Sequence, residues 1–324
     1  MYNTDEILTK LNDAIANIEY PLQPVGLYEP IKYVLSIGGK RIRPAFMLLA
    51  AQALNADIEK VMPAAIGLEM YHNYTLLHDD LMDKAQVRRG RPTVHCKWNN
   101  NTAILSGDSM LVMACKYIHS TQLPNVKEAV DVFLDTALEI GEGQQYDMNF
   151  ETCSDVSQAE YIEMIRLKTS VLIACALKMG VILSGADFAT ADKLYAFGEQ
   201  VGLAFQLQDD LLDVYGDPKV FGKRIGGDIL CDKKTYLLIN AYQKADARQK
   251  AVLEYWINQK QYDDVEKIKA VTGVYDELGI RDYTINSISV FFDRAKAIFG
   301  DINLPMENKR PLWDFAAQLV NRNY

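Results

Sequence analysis

Two stretches of this sequence set three aspartates at the same spacing behind an apolar run, and that repeated pattern constrains the fold more than any other feature. Leu76-Leu77-His78-Asp79-Asp80-Leu81-Met82-Asp83 is the first, and Phe205-Gln206-Leu207-Gln208-Asp209-Asp210-Leu211-Leu212-Asp213 repeats its Asp-Asp-x-x-Asp spacing. Their Leu, Met and Phe content predicts helices, which puts the first and last Asp of each triplet at i and i+4 on one face. Like charges so placed repel by roughly 0.2–0.5 kcal/mol per pair on an exposed helix, and by more where apolar neighbours exclude water. A cation removes that repulsion. Mg²⁺ suits the donors best, because proteins hold it through one or two carboxylates and leave the other positions to water and substrate phosphates. A lone triplet also reads as a solvated helix face, but two matched triplets favour the metal.

The rest of the chain is read as all helical, since period-3.6 patterns dominate and alternating strand patterns are nearly absent. With 324 residues and a 49% hydrophobic fraction it can bury a sizeable core. The net charge of -9 argues against a nucleic-acid surface, which needs clustered Lys and Arg. Cys96, Cys115, Cys153, Cys175 and Cys231 are scattered and form no C-x-x-C pair, which argues against a disulfide framework or a zinc site and for a reducing, cytoplasmic setting. No signal peptide is legible at the start. The most apolar window, residues 171–186, contains Lys178 and is shorter than a membrane span. No linker divides the chain, so residues 1–324 are expected to form a single domain.

Asn3-Thr4-Asp5 can cap a first helix running to about Glu19, and a second is expected from Pro30 to about Ser36. Gly38-Gly39-Lys40-Arg41-Ile42-Arg43-Pro44 then opens a helix through Leu54. The glycines allow close backbone approach to a ligand, the helix start offers N–H groups to an anion, and Lys40 and Arg43 add charge; a solvated basic loop is the competing reading. A long helix is expected from Ala64 to Val87, carrying Glu69, His72, Tyr74 and the first triplet and ending in Arg88-Arg89-Gly90-Arg91-Pro92. Twin arginines directly after an acidic triplet suit a diphosphate held on metal and guanidinium together. Further helices are expected over 107–119 and 126–150, the second bringing Gln144 and Asp147 one turn apart. In the apolar helix expected from Ser157 to Ser184, Lys168-Thr169 sits where an unpaired ammonium is costly, so an anion should meet it. Residues 187–215 carry the second triplet. The Gly- and charge-rich loop 216–228 has the composition of a lid or binding loop, and the chain from there to Tyr324 reads as ordinary helix with solvated charged faces.

In the order and spacing of these motifs, from the Gly-Gly-Lys-Arg-x-Arg-Pro loop to Lys234, the chain resembles the trans-isoprenyl diphosphate synthases, the polyprenyl synthetase family of farnesyl and geranylgeranyl diphosphate synthases. The resemblance implies an all-α bundle around a deep central cavity, with the two acidic motifs facing each other across its mouth, in a homodimer. It further implies that Asp79, Asp80 and Asp83 bind two Mg²⁺ ions and that Asp209, Asp210 and Asp213 bind a third, all on an allylic diphosphate. Arg88, Lys168, Gln206, Lys223 and Lys233 would contact that diphosphate. Lys40, Arg43, His72 and Arg89 would form a metal-free pocket for isopentenyl diphosphate, and Asp228 would support the second motif. The implied reaction ionises the allylic C–O bond, after which the isopentenyl double bond attacks the cation. Thr169 and Gln206 would face that cation, released diphosphate would take the final proton, and His72 and His78 would act as hydrogen-bonding groups.

Product length should follow how far the growing tail descends beside the first-motif helix. Tyr74 lies about 7.5 Å and Tyr71 about 12 Å deeper than Asp79 along such a helix. An aromatic residue at 74 resembles the short-chain members, while the small Thr75 beside it departs from the paired aromatics of some farnesyl synthases; both C15 and C20 stay open, with C20 slightly favoured. Two rivals are weighed. A class I terpene cyclase would not need residues 38–43 or the twin arginines, and a noncatalytic partner subunit sits poorly with two intact triplets.

Overall fold

A computed structural model describes residues 1–153, 155–217, 225–257 and 259–320. Among these the chain is helical apart from one minimal hairpin, and it falls into two compact units. The first comprises Met1–Asp135, Cys175–Tyr195 and Ile302–Phe315; the second comprises Thr136–Ala174, Ala196–Asp301 and the C-terminal residues from Ala316. The divisions fall inside helices and not in linkers.

In the first unit, α1 (Thr4–Ala16) starts at a capping box, in which the Asn3 side chain accepts from the Glu6 N–H and Glu6 accepts from the Asn3 N–H. It stops short of Glu19. Helix α2 (Val25–Ser36) begins ahead of Pro30, which sits in its second turn. Helix α3 (Ile42–Ala53) is apolar and buried on nearly every side, as a core helix must be. Helix α4 (Ile58–Met82) is capped by Asp57, whose side chain accepts from the Glu59 N–H, and it carries Pro63 in its second turn. It ends at Met82 and not at Val87. The chain turns instead into a hairpin of β1 (Val87–Arg88) and β2 (Arg91–Pro92), with Arg89 and Gly90 at positive φ in the turn. The twin arginines therefore project from a turn. A short α5 (Val94–Lys97) follows, then α6 (Asn100–His119), capped by Asn99, and the start of α7 (Val126–Thr152).

Further along the chain, α8 (Gln158–Ile165), a π-helical segment (Arg166–Ser170) and α9 (Val171–Leu183) form one run from the Ser157 capping box, with the division between the units falling after Ala174. The predicted helix over 157–184 is correct in extent but holds a π-bulge at Lys168 and Thr169. Helix α10 (Phe188–Tyr215) carries the second triplet. Then come α11 (Gly227–Leu230), α12 (Tyr236–Lys244), α13 (Ala247–Ile257), α14 (Asp264–Glu277), α15 (Ile280–Gly300) and α16 (Met306–Val320). Among the described residues no helix is long and apolar enough to cross a membrane.

Candidate active site

Each unit assembles one part of the predicted constellation. In the first, α3, α4 and the β1–β2 hairpin converge. Arg43 Nη1 lies 3.2 Å from His72 Nε2, and Arg89 Nη1 donates to the Gly38 carbonyl, so the glycine loop, α4 and the hairpin meet at one place. Lys40 is exposed at the end of that loop. Part of His72 still reaches the surface, yet its ring is well desolvated. Burial, then Arg43, Arg89, Arg88 and Arg41, hold its pKa well below the ordinary 6.5, so the imidazole is neutral at physiological pH.

A residue outside the predicted set organises this corner. Arg41 has a left-handed backbone (φ 49°) and is 5% exposed. Its guanidinium donates to Glu69 Oε1 at 2.6 Å, to the Leu35 carbonyl at 3.0 Å and to Asn12 Oδ1 at 3.2 Å, while Asn73 Nδ2 donates to the same Glu69 oxygen at 2.9 Å. The only legible hint was a Glu three residues before His72 on an otherwise apolar face.

Of the first triplet, Asp80 is buried, Asp79 is half-buried and Asp83 is exposed. Arg88 Nε donates to both Asp80 oxygens at 2.8 Å, and Arg88 Nη2 lies 3.4 Å from Asp79 Oδ2. Burial raises the Asp80 pKa despite that guanidinium. Below the triplet an aromatic ladder descends α4. His78 packs on Tyr74 with centroids 4.8 Å apart, Tyr74 lies 5.5 Å from Tyr71, and Tyr71 meets Phe133 of α7 edge-on at 5.0 Å. Thr75 donates its hydroxyl to the His72 carbonyl. Phe133, from a distant stretch, has no sequence signal linking it to the predicted floor.

In the second unit the anion expected beside Lys168 is Asp147, at 2.6 Å. Burial opposes its ionisation, but Lys233 and Lys168 outweigh it and lower its pKa. Gly143 permits the approach of α7, since a Cβ there would collide with the backbone at Leu167 and Lys168. Thr169 donates to Gln206 Oε1 at 3.1 Å, Gln206 Nε2 donates to Asp210 Oδ1 at 3.0 Å, and the buried Tyr161 hydroxyl donates to Asp210 Oδ2 at 2.5 Å. Burial and the nearby Asp228 push Asp210 up to about 7, against the pull of its two donors. Asp213 accepts from the Asp228 N–H at 3.0 Å, which ties Asp228 to the second triplet. Asp209 is half-buried and Lys233 exposed. Lys223 lies outside the described residues.

The triplets offer carboxylate oxygens only, the donor chemistry of a hard divalent ion. Among the described residues no three acidic, His or Cys side chains gather into a ready-made cage. Carboxylate donors of this kind would suit Mg²⁺, which proteins hold through one or two of them.

The profile of the Polyprenyl synthetase family matches residues 24–274. The chain is 36% identical, over 99% of its length and 98% of the relative's, to a geranylgeranyl diphosphate synthase of Methanosarcina mazei. It is 35% identical to a geranylfarnesyl diphosphate synthase of Natronomonas pharaonis, over 97% and 95% of the two chains. A crystal structure of a geranylgeranyl pyrophosphate synthase superposes with a TM-score of 0.94 at 40% identity, covering 100% of both chains. The chain belongs to the polyprenyl synthetase family.

Proposed function

We propose that this enzyme joins isopentenyl diphosphate head-to-tail to an allylic diphosphate, giving a short-chain all-trans polyprenyl diphosphate and diphosphate, with C20 the favoured product. The observation that carries this reading is the presence of two diphosphate-suited sets on neighbouring elements of one unit. Asp79, Asp80 and Asp83 with Arg88 form the first; Arg43, His72 and Arg89, with Lys40 beside them, form the second. A terpene cyclase ionises one diphosphate and has no use for the second set.

In this reading Asp79, Asp80 and Asp83 hold two Mg²⁺ ions and Asp209, Asp210 and Asp213 a third. When bound, these ions neutralise charge developing on the leaving diphosphate. Arg88, Lys168, Gln206, Lys223 and Lys233 grip the same group. Asp147 holds the Lys168 ammonium in place at 2.6 Å. The Thr169 hydroxyl, spending its proton on Gln206, turns lone pairs toward the allylic cation without a base to make it a nucleophile. His72 stays neutral and contributes a hydrogen bond to the isopentenyl diphosphate. The aromatic ladder from Tyr74 to Tyr71 forms the floor that ends elongation.

A single domain, a homodimer and a cytoplasmic setting complete the proposal. Unit divisions that fall within helices support the first. Leu105 and Val112, one turn-pair apart on α6 and each 60% exposed, support the second. Purified enzyme incubated with labelled isopentenyl diphosphate, Mg²⁺ and dimethylallyl, geranyl or farnesyl diphosphate should yield a labelled C20 product. No incorporation from any primer would overturn the reading, and activity appearing only with an added partner would indicate a subunit.

A further inference from the structure

Lys267 of α14 is the most unexpected charge in the molecule. Its side chain is 0% exposed, and its ammonium lies 2.5 Å from Asp232 Oδ1 and 4.1 Å from the centre of the Tyr262 ring. A buried ammonium is costly even when paired, and well-packed apolar residues in place of such a pair are often no less stable. The reason for the pair therefore lies in what it holds.

What it holds is the segment 226–235. Asp232 has a left-handed backbone (φ 54°), uncommon for a residue with a side chain. The turn around it is closed by the Lys233 N–H donating to the Asp228 carbonyl at 2.9 Å and the Thr235 N–H donating to the Lys233 carbonyl at 2.9 Å. Two further ties come from the same direction as Lys267. The Tyr262 hydroxyl donates to the Leu230 carbonyl at 2.9 Å, and Ile268, next to Lys267, fills the space over Gly226, where a Cβ would come within 2.6 Å of it. On its other side the segment reaches the second triplet, through the Gly226 N–H on the Asp213 carbonyl at 2.6 Å and the Asp228 N–H on the Asp213 carboxylate at 3.0 Å. The Lys233 charge is felt at Asp147 and at Asp210.

We propose that Lys267 and Asp232 are positioning residues that clamp the left-handed turn from behind and so aim Lys233 and the Asp228 amide at the allylic diphosphate side of the site. Neither residue touches substrate. The inference rests on the prenyltransferase reading above.

The decisive variant is Lys267→Met/Asp232→Asn. Methionine keeps the length of the buried side chain, and asparagine keeps the tolerance for left-handed backbone while removing the charge. With the melting temperature near that of the wild type, KM for the allylic diphosphate should rise about tenfold, the scale expected for a small misplacement of a binding group, while KM for isopentenyl diphosphate should stay within about twofold. Calorimetric Kd for the thiolodiphosphate analogue of dimethylallyl diphosphate, with Mg²⁺ present, should weaken by a similar factor. Tyr262→Phe removes one tie without disturbing a charge, and should shift the allylic KM and Kd selectively in the same direction by about two- to threefold. It decides the matter if the double variant does not fold. Unchanged allylic KM and Kd in a folded variant, or equal rises for both substrates, would overturn the clamp. A wild-type enzyme that makes no labelled product would instead overturn the reading on which it rests.

Discussion

His72 carries a charge argument that can be measured. Burial and four arginines disfavour its proton in the folded state, whereas the unfolded side chain takes one near pH 6.5. The unfolded chain therefore binds more protons below that pH, and stability is complete above it and falls as pH drops from 6.5 toward the lowered folded value. The slope from this one group is about 1.4 kcal/mol per pH unit. Urea midpoints at pH 7.5, 6.5 and 5.5 should fall less steeply for His72→Gln than for the wild type; parallel slopes would mean the ring is protonated in the fold. At Tyr74, half-buried between His78 and Tyr71, truncation to alanine opens the ladder below Asp79. Chromatography of the Tyr74→Ala products should show longer chains, and an unchanged spectrum would place the floor elsewhere. These two residues were legible because their spacing from the triplet puts them on its helix. Phe133 and the Arg41–Glu69 pair were not, because each meets its partner only through packing between elements distant in sequence.

Among the elements, the π-helical segment Arg166–Ser170 has the clearest task. One extra residue in the turn lets Lys168 reach Asp147 while Thr169 reaches Gln206, two partners on different helices. Arg166 anchors its start through Glu163 at 2.8 Å and Glu199 at 2.9 Å. Because Gly143 leaves no room above the bulge, Gly143→Ala should force α7 and the bulge apart. The expected loss in kcat/KM is about tenfold to a hundredfold with the helical circular dichroism retained; retention of full activity would show that the bulge adapts freely. Sequence periodicity identified the helix but not the bulge, since a single inserted residue leaves the apolar pattern on both sides intact. The hairpin at Val87–Pro92 escaped for a similar reason. Its strands are two residues long, too short for alternation to be seen, and Arg-Arg-Gly-Arg-Pro reads equally as a helix stop.

For the whole molecule the testable question is assembly. Residues Ala103, Gly107, Met110 and Ala114 of α6 are buried, whereas Leu105 and Val112 stand exposed on another face. In the proposed homodimer that face would be covered. Leu105→Glu/Val112→Glu should convert a particle of two chains into one of a single chain by light scattering, and a wild-type protein that is already monomeric at micromolar concentration would remove the dimer from the proposal. The α-helical class, the two acidic helices, the cation-rich loop and the family all follow from the sequence alone, because each is a local pattern: a period, a spacing or a motif of adjacent residues. Which anion meets Lys168, how Arg41 joins four segments and why Lys267 is buried beside Asp232 were settled only by tertiary structure. Charge pairing between residues far apart along the chain depends on where the helices pack, and no local pattern records that.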